Sequence, residues 1–94
     1  MIMDTFLEIA VRIIHEQELI IGPLAWEEAE KVSGLSVSNK DHAVTFEVEA
    51  SVAIDGLISQ YERLFGRASV EVCKEAVKDI IVKMAVDQVP SLLK

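Results

Sequence analysis

The chain holds few side chains that could do chemistry, and they are scattered along it. His15, Glu16 and Glu18 fall within one helical turn of "RIIHEQEL", with Glu8 two turns earlier. An imidazole and carboxylates at that spacing can hold a divalent metal, although transition-metal sites gather more converging ligands than this. The other reading is a solvated polar stripe. His42 follows Asp41, and a histidine beside an acid can titrate near neutral pH. Cys73 is the single cysteine. A thiol is a nucleophile only where it is exposed and electropositive, whereas Cys73 falls on an apolar helical stripe and reads as a buried structural residue.

Two acidic clusters, "WEEAE" (26–30) and "FEVEA" (46–50), place carboxylates close together. Paired carboxylates do acid–base chemistry when their surroundings split their pKa values. Glu47 and Glu49 instead lie on the polar side of an alternating stretch, where charge keeps a strand edge from unwanted pairing. No G-x-S-x-G elbow and no glycine-rich phosphate loop occurs, since Gly22, Gly34, Gly56 and Gly66 are widely spaced. These patterns assign no catalytic residue, no metal and no cofactor.

Two further stretches point to binding. "AEKVSGLSVSNKDHAV" (29–44) can be read as a helix-turn-helix. Its second helix would offer Ser38, Asn39, Lys40 and His42 to DNA. It would also offer Asp41, Glu47 and Glu49, and its Ala29–Gly34 spacing is one residue off the usual pattern. "QYERLFGRAS" (60–69) combines Tyr61, Arg63, Phe65 and Arg67, residue types that dominate protein interfaces. The alternative places the two aromatics in the core and the arginines in water.

Composition limits the partners. Residues 1–60 carry eleven acidic against three basic residues, and the whole chain has a formal net charge of −7. Phosphate backbones are bound through Lys and Arg, so nucleic acid and anionic membranes are disfavoured and a basic protein is the better heterologous partner. One cysteine excludes an internal disulfide. The first twenty residues lack a basic leader and carry too many charges for a membrane span, so a cytoplasmic protein is expected.

The elements that must position these residues follow from periodicity. A helix is expected over about 4–21, with Thr5 and Glu8 at capping-box spacing. Its polar stripe is narrow, so it needs cover on more than one side, and a second subunit is one source of it. Gly22-Pro23 ends it and opens a short helix through "PLAWEEAEKVSG". Leu35 and Val37 alternate with serines, and Val44, Phe46 and Val48 alternate with Thr45, Glu47 and Glu49. That is strand periodicity. A turn at Lys40-Asp41 pairs Val37 with Val44 and Leu35 with Phe46, giving a hairpin over about 35–38 and 43–50. The alternative is one long helix from about residue 38 to 65, which would make the protein all-α.

From Ser51 the period becomes helical through Ile54, Leu57, Ile58, Tyr61, Leu64 and Phe65, until Gly66. Ser69 is a plausible cap for a last helix reaching about residue 88, its inner face being Val70, Cys73, Val77, Ile80, Ile81 and Met84. Pro90 ends it, leaving "SLLK" as a tail.

The fold expected is α+β: a single, mostly helical domain spanning 1–94, with four helices and one hairpin. The apolar fraction is 51%, a large load for so small a domain, and large exposed apolar patches mark interaction sites. The function expected is therefore a non-enzymatic, self-associating interaction or regulatory module, acting as a homodimer. Its candidate interface comprises Phe6, Ile13, Phe46, Val48, Tyr61, Arg63, Phe65 and Arg67. The alternatives are a helix-turn-helix DNA-binding regulator and a small metal-binding protein or enzyme.

Overall fold

The computed structural model describes the backbone of residues 2–94 and the side chains from residue 5 onward. The chain runs through α1 (Ile2–Ile21), α2 (Leu24–Ala29), β1 (Leu35–Ser38), β2 (Ala43–Phe46), α3 (Ala50–Phe65), α4 (Ala68–Ala76) and α5 (Lys78–Ile81), then two 3-10 turns, Val86–Gln88 and Ser91–Leu93. The class is α+β.

α1 is the axis of the fold. It packs on α2, α3, α4 and β2, and Ile9, Ala10, Ile13 and Ile14 are fully buried. Burial of one such isoleucine contributes about 1.5–3 kcal/mol. The inner part of the wide apolar face is thus covered by the chain's own elements, while Val11, Leu19 and Ile20 stay exposed. The capping box is not formed: α1 begins at Ile2, so Thr5 lies inside the helix. The Glu8 carboxylate turns the other way and accepts a 2.7 Å hydrogen bond from Arg12, one turn on.

The hairpin has the register that alternation implies. Leu35 pairs with Phe46, Ser36 with Thr45, Val37 with Val44 and Ser38 with Ala43. Leu35 and Val44 are buried, Val37 and Phe46 half-buried, and Ser36 and Thr45 exposed. All four apolar side chains therefore share the face that meets the helices. Residues 38–50 do not form a helix, and the second helix of the helix-turn-helix reading is absent.

Two details differ from expectation. The connection is a four-residue loop, Asn39–His42, in which the Ser38 hydroxyl accepts from the Asp41 N–H at 3.2 Å and His42 takes a left-handed φ of 53°. The second strand also ends at Phe46, not at residue 50. Glu47 still donates to the Gly34 carbonyl at 2.9 Å, but Ala50, Ala53, Ile54, Leu57 and Ile58 must all reach the core. Only a helix beginning at Ala50 puts them on one side.

Tyr61 lies on that inner face of α3 and its hydroxyl donates to the Ala25 carbonyl at 2.7 Å. Gly66, at φ 88°, stops α3, and its N–H closes on the Glu62 carbonyl at 2.8 Å. Ser69 does not cap α4: the helix begins one residue earlier, and Ser69 is buried in its first turn. Its carbonyl accepts from Gln17 Nε2 at 3.2 Å, which ties α4 to α1.

The long last helix is divided. α4 ends at Val77 (φ −119°, ψ 12°), α5 is one turn long, and residues 82–88 cross the surface as a strap. "SLLK" is no loose tail. Asp55 on α3 accepts hydrogen bonds from the Ser91 hydroxyl at 2.7 Å, the Ser91 N–H at 3.3 Å and the Leu92 N–H at 3.0 Å. Val89, Pro90 and Leu93 are buried beside it. Sequence alone hides this contact because its partners are 36 residues apart.

The entry into the hairpin is the most constrained point of the backbone. Gly34 sits at φ 88°, and a Cβ there would lie 2.6 Å from Val48 Cγ2. Gly34→Ala should therefore destabilise the domain by about 1–3 kcal/mol, read as a lowered urea midpoint. An unchanged midpoint would contradict this packing.

Candidate functional site

His15 and Glu18 approach each other on α1, at 3.8 Å between Nδ1 and Oε1, and His15 is well exposed. Among the described residues no group of three or more His, Cys, Asp or Glu side chains is placed to hold a metal. Glu47 and Glu49 are exposed, and Glu49 accepts a 3.0 Å hydrogen bond from the Ser51 hydroxyl.

Cys73 is fully buried between α1 and α4, 3.5 Å from Gln17 Nε2. Burial pushes its thiol up to about 11, against a smaller opposing effect of Gln17. At neutral pH it is a thiol, not the thiolate that reacts. Tyr61 is shifted upward as well, first by desolvation and then by the nearby Cys73 and Glu28. It acts as a buried donor to α2.

His42 does something its sequence neighbours do not suggest. Its ring stacks on Trp26, with centroids 4.0 Å apart and planes 6° from parallel. Trp26 is 2% exposed, which settles its inward orientation, and among the described residues its Nε1 is buried without a hydrogen-bond partner. The hairpin loop thereby covers the only tryptophan. No signal in the sequence locates this contact, because the left-handed φ of His42 is a property of the folded loop.

Three residues of the expected interface lie inside the fold. Phe6, Ile13 and Tyr61 are core residues at 8%, 0% and 0% exposure. They satisfy α1 and α3 within one chain, so their apolar or aromatic type is used up internally. Phe46 is half-buried on the hairpin. Val48, Arg63, Phe65 and Arg67 are at the surface, with Arg63 donating to Gln60 Oε1 at 2.6 Å.

The structure adds exposed side chains that the expected interface lacks. Leu19, Ile20 and Leu24 stand at the α1–α2 corner, and Leu64 precedes Phe65 at the end of α3. These two corners belong to one end of the molecule. Tyr61 is tied to Ala25 and Gln17 to Ser69, and the exposed residues lie within a turn of those ties. Val82 and Val86, at 74% and 78% exposure, form a second apolar group on the strap.

A cleft lies under that strap. It measures about 420 Å³ and is lined by Thr5, Glu8, Asp79, Lys83, Met84 and Gln88, among others. At its edge Arg12 donates to both Asp79 oxygens, at 2.7 and 2.9 Å. Asp79 is lowered chiefly by this hydrogen bond, and Arg12 is raised by it in turn. Both groups are substantially solvated, and exposed pairs of this kind add little stability.

A second polar chain joins α2 to α3. Buried Glu28 accepts from Lys31 at 3.0 Å and from Gln60 at 2.8 Å, and these two contacts, Lys31 first, lower its pKa. No helix among the described residues is long and apolar enough to cross a membrane. Comparison with protein-family models, curated proteins and solved structures finds no match for the chain.

Glu28 gives a pH test. A carboxyl lowered by folding stabilises the fold above its unfolded pKa, and that contribution fades as pH falls through the folded value. Glu28→Gln should melt below the parent at pH 7, and the gap should begin to narrow as pH falls past the ordinary glutamate value of about 4.3 and close only below the lower folded value. A gap that is constant with pH would show that Glu28 is not held as a carboxylate.

Proposed function

We propose that this protein is a non-enzymatic interaction module that self-associates as a homodimer. One observation carries the reading: large apolar side chains remain in water, among them Leu19, Ile20, Leu24, Leu64 and Phe65 near the ends of α1 and α3, Val82 and Val86 on the strap, and Val48 and Val52 around the start of α3. These residues are not strays from an unfinished core, because the core is closed around α1 without them.

Magnitudes support a dimer of ordinary size. A standard interface covers about 800 Å² per partner, roughly 15% of the 5317 Å² that the chain exposes. Charged residues of both signs flank these apolar residues in the sequence, Arg63 and Arg67 near Leu64 and Phe65, and Glu16, Glu18 and Glu27 near Leu19, Ile20 and Leu24. Mixed charge of this kind suits a two-fold interface, in which each patch must complement itself. The free buried thiol of Cys73 fits the reducing interior of the cytoplasm, where we place the module.

Charge sets the direction of a salt test. Two chains of net charge −7 repel each other, and salt screens that repulsion. Light scattering after gel filtration should give twice the 10.4 kDa chain mass at tens of micromolar, with a larger dimer fraction at 0.5 M than at 0.05 M salt, conditions chosen around the Debye lengths of about 4 and 14 Å. Leu19→Ser with Phe65→Ser should shift the protein toward monomer. A parent that is monomeric at about 100 µM, roughly 100 times a micromolar dissociation constant, would overturn the proposal.

A further inference from the structure

Resting on that self-association, we infer that the second copy is engaged by exchange of the C-terminal segment: the tail Val89–Lys94 of one chain docks on α3 and α4 of its partner, carried there by a helix that continues unbroken from α4.

The first argument is a conflict between sequence and fold. From Ser69 to Val89 there is no glycine and no proline, the residues that ordinarily break helices. The apolar set Val70, Cys73, Val77, Ile80 and Met84 keeps helical spacing throughout, yet in the single chain the helix is divided at Val77 and again after Ile81. Local preference and tertiary arrangement disagree over this whole segment, a conflict larger than any other in the fold, and we read it as a segment with a second available conformation.

The second argument is how the segment is held. The tail has a polar anchor on Asp55 and buries Val89, Pro90 and Leu93. The strap that leads to it leaves Val82 and Val86 in water and stands over an open cleft of about 420 Å³. Tail contacts are therefore complete, while those of the connection are poor. The same tail contacts form whichever copy supplies the tail, and this is the condition for exchange between identical chains. On a continuous helix Val82, Val86 and Val89 fall at i, i+4 and i+7, one apolar stripe available to the partner.

Geometry decides between cis and trans once the helix is straight. Asp55 lies eleven residues before Gly66 on α3, about 16 Å from the α3–α4 turn at 1.5 Å per residue. A helix continued from Ala68 to Gln88 would end about 30 Å from that turn, roughly 14 Å past Asp55 and beyond the roughly 10 Å that three extended residues to Ser91 can span. The tail then has no path back to its own Asp55 and meets that of another copy.

Ala85→Pro separates the two forms. Ala85 already has φ −65° and ψ 140° in the folded-back strap, which matches the proline ring, whereas proline inside residues 68–88 breaks a continuous helix. Light scattering should show Ala85→Pro folded and monomeric, its dimer dissociation constant raised at least 100-fold, as the handicap of an interior proline implies. In parallel, a chain with Asp55→Cys is mixed with one bearing Ser91→Cys, both with Cys73→Ala, and oxidised after exchange. A disulfide-linked heterodimer is expected on a non-reducing gel, and this result stands even if Ala85→Pro fails to fold. A parent dimer that gives no cross-linked heterodimer overturns the exchange and leaves self-association through the apolar end. A parent that is monomeric at about 100 µM overturns both.

Discussion

The structure depends on the enclosure of α1. A helix with Ile9, Ala10, Ile13 and Ile14 all removed from water must be covered from several directions, and in a chain of 94 residues this dictates where everything else goes. α2 folds back at Gly22, the hairpin lays Leu35 and Val44 inward, and α3 and α4 close the remaining sides. The polar ties follow the same logic. Gln17 crosses to Ser69 and Tyr61 to Ala25, so the buried amide and hydroxyl each gain a partner where the helices meet.

With the core closed in this way, the remaining apolar side chains need a separate account. They include Leu19, Ile20, Leu24, Leu64 and Phe65 near the ends of α1 and α3, Val82 and Val86 on the strap 82–88, and Val11, Val48 and Val52 elsewhere. The chemistry-bearing side chains go the other way: Cys73 is sealed, Glu28 is held by Lys31 and Gln60, and Arg12 is shared between Glu8 and Asp79.

Much of the fold was legible because its signals are local. The alternation of Val44 and Phe46 against Thr45, read with Leu35 and Val37, specifies the hairpin register, since a slip of one residue would turn the apolar face to water. Gly22 and Gly66 mark the helix ends by the same local reasoning. Which of the interface-like residues lie inside the fold was less legible. Phe6, Ile13 and Tyr61 have interface-like types, but residue type does not say whether a side chain is used within its own chain. The break at Val77 and the docking of Ser91 on Asp55 carry no local signal at all. They arise from contacts between distant segments, and periodicity through residues 69–88 argues for a straight helix instead.

Hydrogen exchange at two concentrations tests most directly the claim that the core is self-sufficient and the surplus apolar surface serves a second copy. Between about 1 and 100 µM, a range bracketing micromolar association, amides in 19–24, 64–66 and 82–94 should gain protection through local contacts, beyond the uniform gain that dimer stabilisation gives the core amides in 6–14. Identical exchange throughout the chain at both concentrations would contradict the account.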